Sequence, residues 1–406
     1  MHVIFVEPRF PANQREFVRG LHEAGATVSG IGEAPPEALG DEIRSWLLGY
    51  EQVRSVVDEE ALEKAVRKIQ SRGWVDRLEA TVEAHILPTA QVREACGIPG
   101  TSVRTAFLCR DKPAMKDALR EAGIPTARST SARSGDDVRR FAGEVGYPLI
   151  LKPAAAAGAS GTVRVDRAED LDEAIAASHV DHGAHCAVEE FIEGHEGFYD
   201  TLSISGNPVH EFVSHYYPGV LEAMRTRWIS PQIVTTNRLD SPGYADVKDL
   251  GVRVIRALGI TTSATHMEWF FGPKGLNFSE IGCRPPGVGM WDVYCAANEF
   301  DLYREWGHAV SHGRPSQRAS RRYSAGMIAV RPDRDGRIVG YEGFETVRAR
   351  VGEHLIDWHL PREGTPTQPV EAGYMANAWL RVKHPDYDGC REVLDFIGKT
   401  LKVRAQ

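Results

Sequence analysis

The sequence predicts a mixed α/β (α+β) fold, and three observations predict it. An apolar run at 3–6, a helical repeat at 11–23 with Phe17, Val18 and Leu21 on one face, and a second apolar run at 27–31 read as strand–helix–strand. A helical stretch at 136–144 leads into the strand Leu149-Ile150-Leu151-Lys152. Two alternating segments, 266–271 and 276–281, flank Gly272-Pro273-Lys274-Gly275 and read as a β-hairpin.

The elements divide the chain into four expected units. Residues 1–105 form the opening α/β unit, closed by Gly97-Ile98-Pro99-Gly100; it has no G-x-G-x-x-G, so a dinucleotide fingerprint is not supported. Residues 106–185 start with a helix capped by Asp111, with Pro113 in its first turn and Met115, Leu119 and Ala122 as its stripe. Gly123-Ile124-Pro125 stops it, and after Lys152 a small-residue loop, 154–161, leads to a return strand at 162–165. Residues 186–312 run from a strand at 186–192 through the hairpin to a helix at 301–312. Residues 313–406 hold strands near 324–330 and 379–382 and a last helix near 387–401, with the basic stretch 314–322 as the boundary.

Composition narrows the function classes. The 406 residues are 42% apolar and 26% charged, ordinary for a globular protein. The net charge of −8 leaves no basic footprint for nucleic acid. No apolar run approaches the ~18 residues of a membrane span, and the first strand is too short for a signal peptide. The six cysteines are scattered without a C-x-x-C pair, which argues against a zinc site or disulfide framework and fits a reducing cytoplasm.

Chemistry concentrates first on Glu268 and Glu280. Both are equidistant from Lys274, so a three- or five-residue loop sets them directly opposite on one face, whereas a two- or four-residue loop puts them on opposite faces. Directly opposed like charges repel, and a cation between them resolves the conflict; oxygen ligands beside a phosphate suit Mg²⁺. Lys152 ends a buried strand and needs an anion. Lys112 stands at a helix start, and the loop containing Gly158, Ser160 and Gly161 lets a phosphate approach backbone N–H groups. Glu189 to Glu196 offers a strand end, apolar Phe191 and Ile192, and carboxylates to a planar base and its sugar. Arg225 and Arg227 are candidates for clamping a substrate carboxylate. Trp291, Asp292 and Tyr294 line an acceptor pocket or pack in the core. His179, His182 and His185 sit in a Gly/Asp loop with weak metal character, and Cys283 lacks an evident base.

In this order the motifs resemble the ATP-grasp superfamily: Asp111-Lys112, Leu151-Lys152-Pro153 with its loop, Glu189-Glu190-Phe191-Ile192-Glu193-Gly194-His195-Glu196, Glu268, and Glu280-Ile281-Gly282-Cys283-Arg284. The likeness is nearest to the carboxylate–amine ligase branch that includes L-amino acid ligases. It implies an ATP-grasp fold: a pre-ATP-grasp domain (1–105), two ATP-grasp subdomains (106–185 and 186–312) and a C-terminal lobe (313–406). It further implies ATP on Lys112 and Lys152, adenine at Glu189, Phe191 and Ile192, ribose at Glu196, Mg²⁺ or Mn²⁺ on Glu268 and Glu280, and Arg284 on an acyl phosphate. The expected activity is ADP-forming amide or peptide bond formation between small-molecule carboxylate and amine substrates, in the cytoplasm, and homodimers are frequent in enzymes that look like this. The family usually reads Glu-x-Asn-x-Arg, and here Gly282 takes the middle place. Asn277 is a stand-in whose parity puts it on the other strand face; water is the simpler replacement. Two alternatives follow: a degenerate ATP binder without turnover, and biotin-carboxylase-like bicarbonate activation, against which stands the lack of an Arg/Lys/His-rich segment after the hinge.

Overall fold

A computed structural model describes residues 1–154, 161–370 and 377–406. The strand–helix–strand start builds a parallel four-stranded sheet in the order Leu47–Gln52, Thr27–Gly32, His2–Val6, Arg77–Glu79. Helix Gln14–Glu23 packs Phe17 against Trp291, Tyr303 and Trp306, with ring centroids 4.9–5.2 Å away. This helix crosses Leu302–His312 so closely that a Cβ at Gly20 would lie 2.2 Å from the Tyr303 carbonyl oxygen; only glycine permits that approach.

A second, antiparallel four-stranded sheet runs Ser129–Ala132, Cys186–Glu190, Leu149–Pro153, Val163–Val165. It claims Cys186–Glu190, so the change of sheet falls at 191–194 rather than at the expected 185/186 boundary. The third sheet is antiparallel and eight-stranded: Gly275–Gly282, Ser263–Gly272, His195–Ile204, Asn207–Tyr217, Gln232–Thr235, Ser324–Val330, Ala378–His384, Leu355–His359. Its ladder between Gln232–Thr235 and Ser324–Val330 bridges the boundary expected at 312/313. The cleft lies between the two antiparallel sheets and is walled on one side by loops of the N-terminal unit. No helix among the described residues is long and apolar enough to cross a membrane.

Candidate active-site cleft

Asp111 caps helix Lys112–Glu121, accepting from the Ala114 N–H at 3.0 Å. Helical spacing places Lys112 and Lys116 one turn apart on the same face, and Lys116 is 1% exposed. Its Nζ lies 2.6 Å from Glu189 Oε2, and Lys152 Nζ lies 2.9 Å from the same oxygen. Two ammoniums thus share one carboxylate and leave a positive unit facing the cleft. Burial alone would raise Glu189, but Lys116 and Lys152 hold it down at about 2. Burial pulls Lys116 down to about 8, because the shared carboxylate compensates it only in part. Glu189 Oε1 is buried without a hydrogen-bond partner among the described residues. The expectation gave Glu189 to adenine; its Oε2 is instead the counterion of the lysines.

The hairpin corrects one expectation about its own turn. The strands close at Gly272 opposite Gly275, so the loop has two residues, Pro273 and Lys274. By parity alone the glutamates would land on opposite faces. Ser279 is an extra residue in the second strand; this bulge shifts the register and sets Glu268 directly opposite Glu280. The turn pairs Asn277 with Phe270, and the bulge brings Glu280 onto that same face, contrary to the parity expected for Asn277, but its Nδ2 donates back to the Lys274 and Gly275 carbonyls. Lys112 Nζ lies 3.1 Å from Glu280 Oε2; against the pull of burial, Lys112 and then Lys152 hold Glu280 at about 2. Behind Glu268 stands His266, its Nε2 at 3.6 Å from Glu268 Oε1 and its Nδ1 at 2.7 Å from Asp200 Oδ1. Tyr294 OH donates to the other Asp200 oxygen at 2.5 Å. Glu196 shares the cleft, its Oε2 accepting from the Val220 N–H at 2.6 Å. Burial, then Glu268 and Glu280, push Glu196 up to about 8.

Arg284 follows the hairpin and reaches across to the N-terminal unit: its Nε donates to Glu83 Oε2 at 2.7 Å. Gly282 makes room for this pair. A Cβ there would lie 3.3 Å from Glu83 Oε2 and 3.4 Å from Arg284 Cγ. The place the family's motif gives to asparagine is therefore occupied in space by an ion pair.

The cavity measures about 1130 Å³. Ile150, Phe191, Ile192, Phe270 and Phe278 form its apolar end, and the Arg164 guanidinium lies 4.0 Å over the Phe191 ring. Gly161 has φ +69°; Gly158 and Ser160, expected in a phosphate-binding loop, lie outside the described residues. Arg225 also lines the cavity, and its guanidinium has no partner among the described residues. Arg227 does not join it; its Nη2 donates to Asp335 Oδ2 at 2.5 Å. Trp291 and Tyr294 are core residues, and of that segment only Met290 and Asp292 line the cleft. His185 hydrogen-bonds Ser131, and Cys283 is buried.

Sequence reasoning missed Lys116, Glu83, the Asp200–His266 pair and Arg381. Lys116 carried a legible signal, a lysine on the inward face shared by Lys112 and Leu119. His266, two residues before Glu268 in a strand, shares its face. Glu83 and Arg381 come from distant segments and carried no local signal.

The donor set suits a hard divalent cation. Two opposed carboxylates line a cleft with Lys112 and Lys152, and among the described residues no group of three or more His, Cys, Asp or Glu is gathered to hold a metal ion, in this cleft or outside it. Mg²⁺ is commonly held by one or two carboxylates, with waters and phosphate oxygens completing its shell.

Comparison with known proteins agrees with this geometry. The family model "Carbamoyl-phosphate synthase L chain, ATP binding domain" matches residues 111–198. The chain is 27% identical over 244 residues to the L-arginine-specific L-amino acid ligase of Bacillus subtilis, covering 59% of this chain and 58% of that protein. It is 28% identical over 236 residues to the alanine–anticapsin ligase of Bacillus subtilis strain 168, covering 52% and 48%. The chain thus matches about half the length of these relatives. The crystal structure of an L-amino acid ligase from Bacillus licheniformis superposes with a TM-score of 0.77 at 19% identity, over 100% of this chain and 98% of that one. Motif order, the matched ATP-binding segment and the end-to-end superposition converge on the ATP-grasp fold for this chain.

Proposed function

We propose that this protein is an ATP-dependent carboxylate–amine ligase of the L-amino acid ligase type, forming an amide or peptide bond and releasing ADP and phosphate. The observation that carries the reading is the direct opposition of Glu268 and Glu280 in one cleft with Lys112, Lys152 and Arg284. Lys112 and Lys152 bind and orient the ATP phosphates, and their positive charge counters the negative charge of the transferred group. Glu268 and Glu280 would hold a divalent cation, which supplies charge neutralisation and Lewis acidity when bound. Arg284, held by Glu83, presents its remaining N–H groups to the acyl phosphate and to the oxyanion formed when the amine attacks. Phe191 and Ile192 provide the apolar walls for the base.

The test is ADP release from Mg·ATP with pooled amino acids, amines and carboxylates. Release that requires one pool and vanishes in Glu280→Ala supports the reading. Tight ATP binding without release in any pool removes it and leaves a nucleotide-binding module.

A further inference from the structure

We propose that Arg381 and Asp292, at the end of the cleft away from the lysines, form an α-amino-acid subsite. The ligand's α-carboxylate lies on the Nε/Nη2 edge of Arg381 and its amino group beside Asp292. The inference rests on the ligase reading above and adds to it the residues that recognise the substrate.

Arg381 belongs to strand Ala378–His384 and is only 7% exposed, yet it lines the cleft. Its contacts are one-sided. Nη1 donates to Asp292 Oδ2 at 2.9 Å and to Asp357 Oδ2 at 3.2 Å, and the Trp379 ring covers one face, its centroid 4.4 Å from Cζ. Nε is buried with no hydrogen-bond partner, and no described residue accepts from Nη2. Those two N–H groups are parallel and form the fork that matches a carboxylate bidentately. A buried donor left unpaired is costly, so this edge calls for an acceptor that the described chain does not provide.

The surroundings fit that acceptor. Nη2 lies against Gly289, where a Cβ would come within 2.2 Å of it; a side chain at 289 would push the guanidinium out of this position. Gly289, at φ +68°, is the N-cap of helix Met290–Asn298, whose N-terminus favours negative charge. Asp292, in the first turn of that helix, keeps its carboxylate beside the guanidinium and is steadied by the Tyr303 hydroxyl at 2.8 Å. Fixed cation and fixed anion side by side complement a zwitterion. A simple amine would leave the Arg381 edge empty, and a simple carboxylate would bring a further anion beside Asp292 with no ammonium to offset it.

Ligand-observed NMR on the full chain tests this without turnover, using a pool of L-amino acids and a pool of the corresponding amino-acid amides. Acids bind and amides do not. Arg381→Lys, which keeps a charge beside Asp292 and Asp357 but lacks the fork, weakens acid binding about 10- to 100-fold. Equal binding of acids and amides by the wild-type chain overturns the subsite, as does unchanged affinity in Arg381→Lys or the absence of binding from the acid pool. ADP release with the same pools separates the two readings. Discriminating binding without release leaves the subsite and removes the ligase; release without discrimination leaves the ligase and removes the subsite.

Discussion

Replacing Gly282 with asparagine restores the family's motif in sequence and is expected to damage this protein. The added Cβ starts at 3.3 Å from Glu83 Oε2 and 3.4 Å from Arg284, and the amide must extend further into space that the ion pair fills. The backbone raises no objection, since φ at Gly282 is outside the left-handed region. The pair it displaces is a charge-assisted bond of 2.7 Å between side chains 27% and 16% exposed. Such bonds contribute about 1.5–3 kcal/mol, less where solvent screens them, so displacement costs about 1–2 kcal/mol. Gly282→Ala meets only the tight Cβ contacts and costs less than about 1 kcal/mol. The assay is urea unfolding followed by tryptophan fluorescence, run for Gly282→Asn in the native background and in Glu83→Ala. With Glu83 truncated the asparagine has room, and its cost falls by about 1 kcal/mol, the coupling a double-mutant cycle reads. Identical costs in both backgrounds would refute the claim that Glu83 occupies the asparagine's place.

Three further outcomes are expected. Arg225→Ala raises the KM for one substrate about fivefold at unchanged kcat, as loss of a solvent-exposed charge contact does, whereas Arg227→Ala leaves steady-state kinetics unchanged because its guanidinium serves Asp335. Lys116→Met costs about 1–2 kcal/mol in the unfolding transition, since Lys152 still compensates Glu189. Glu189→Leu strands two buried ammoniums and costs about 3–5 kcal/mol; the reverse order contradicts the shared-carboxylate description. The folded pKa of Glu189, about 2, lies below its unfolded value near 4.5, so the unfolded chain binds more protons between them. Its stabilisation is complete above pH 4.5 and is lost as pH falls toward 2; in Glu189→Gln that part of the acid slope disappears from the pH dependence of unfolding.

Local signals carried well and long-range ones did not. The hairpin, the Asp111 cap and the strand ending in Lys152 follow from alternation, capping chemistry and a charge closing an apolar run, all visible within ten residues. The opposition of Glu268 and Glu280 was expected for a different reason: periodicity can count a turn, but the bulge at Ser279 depends on how the strand twists against its neighbours. Arg225 and Arg227 are indistinguishable in sequence because the partner that removes Arg227 from the site, Asp335, is more than a hundred residues away. Arg381 was illegible for the same reason, its meaning residing in Asp292, Asp357 and Gly289.

The reach of Glu83 to Arg284 has a consequence for dissecting the chain. The segment matched by the ATP-binding family model begins at residue 111, and the expected boundary at 105/106 invites a shortened protein that keeps both antiparallel sheets. Such a fragment would retain the three cleft lysines and both hairpin glutamates but lose Gln14, Thr81 and Glu83 from the cleft wall, opening one side to water. Its Arg284, deprived of its anchor, would be free to compete with Lys112 for Glu280. Nucleotide binding by that fragment would say little about turnover, since the N-terminal unit is as much a wall of the cleft as the sheets that carry the charges.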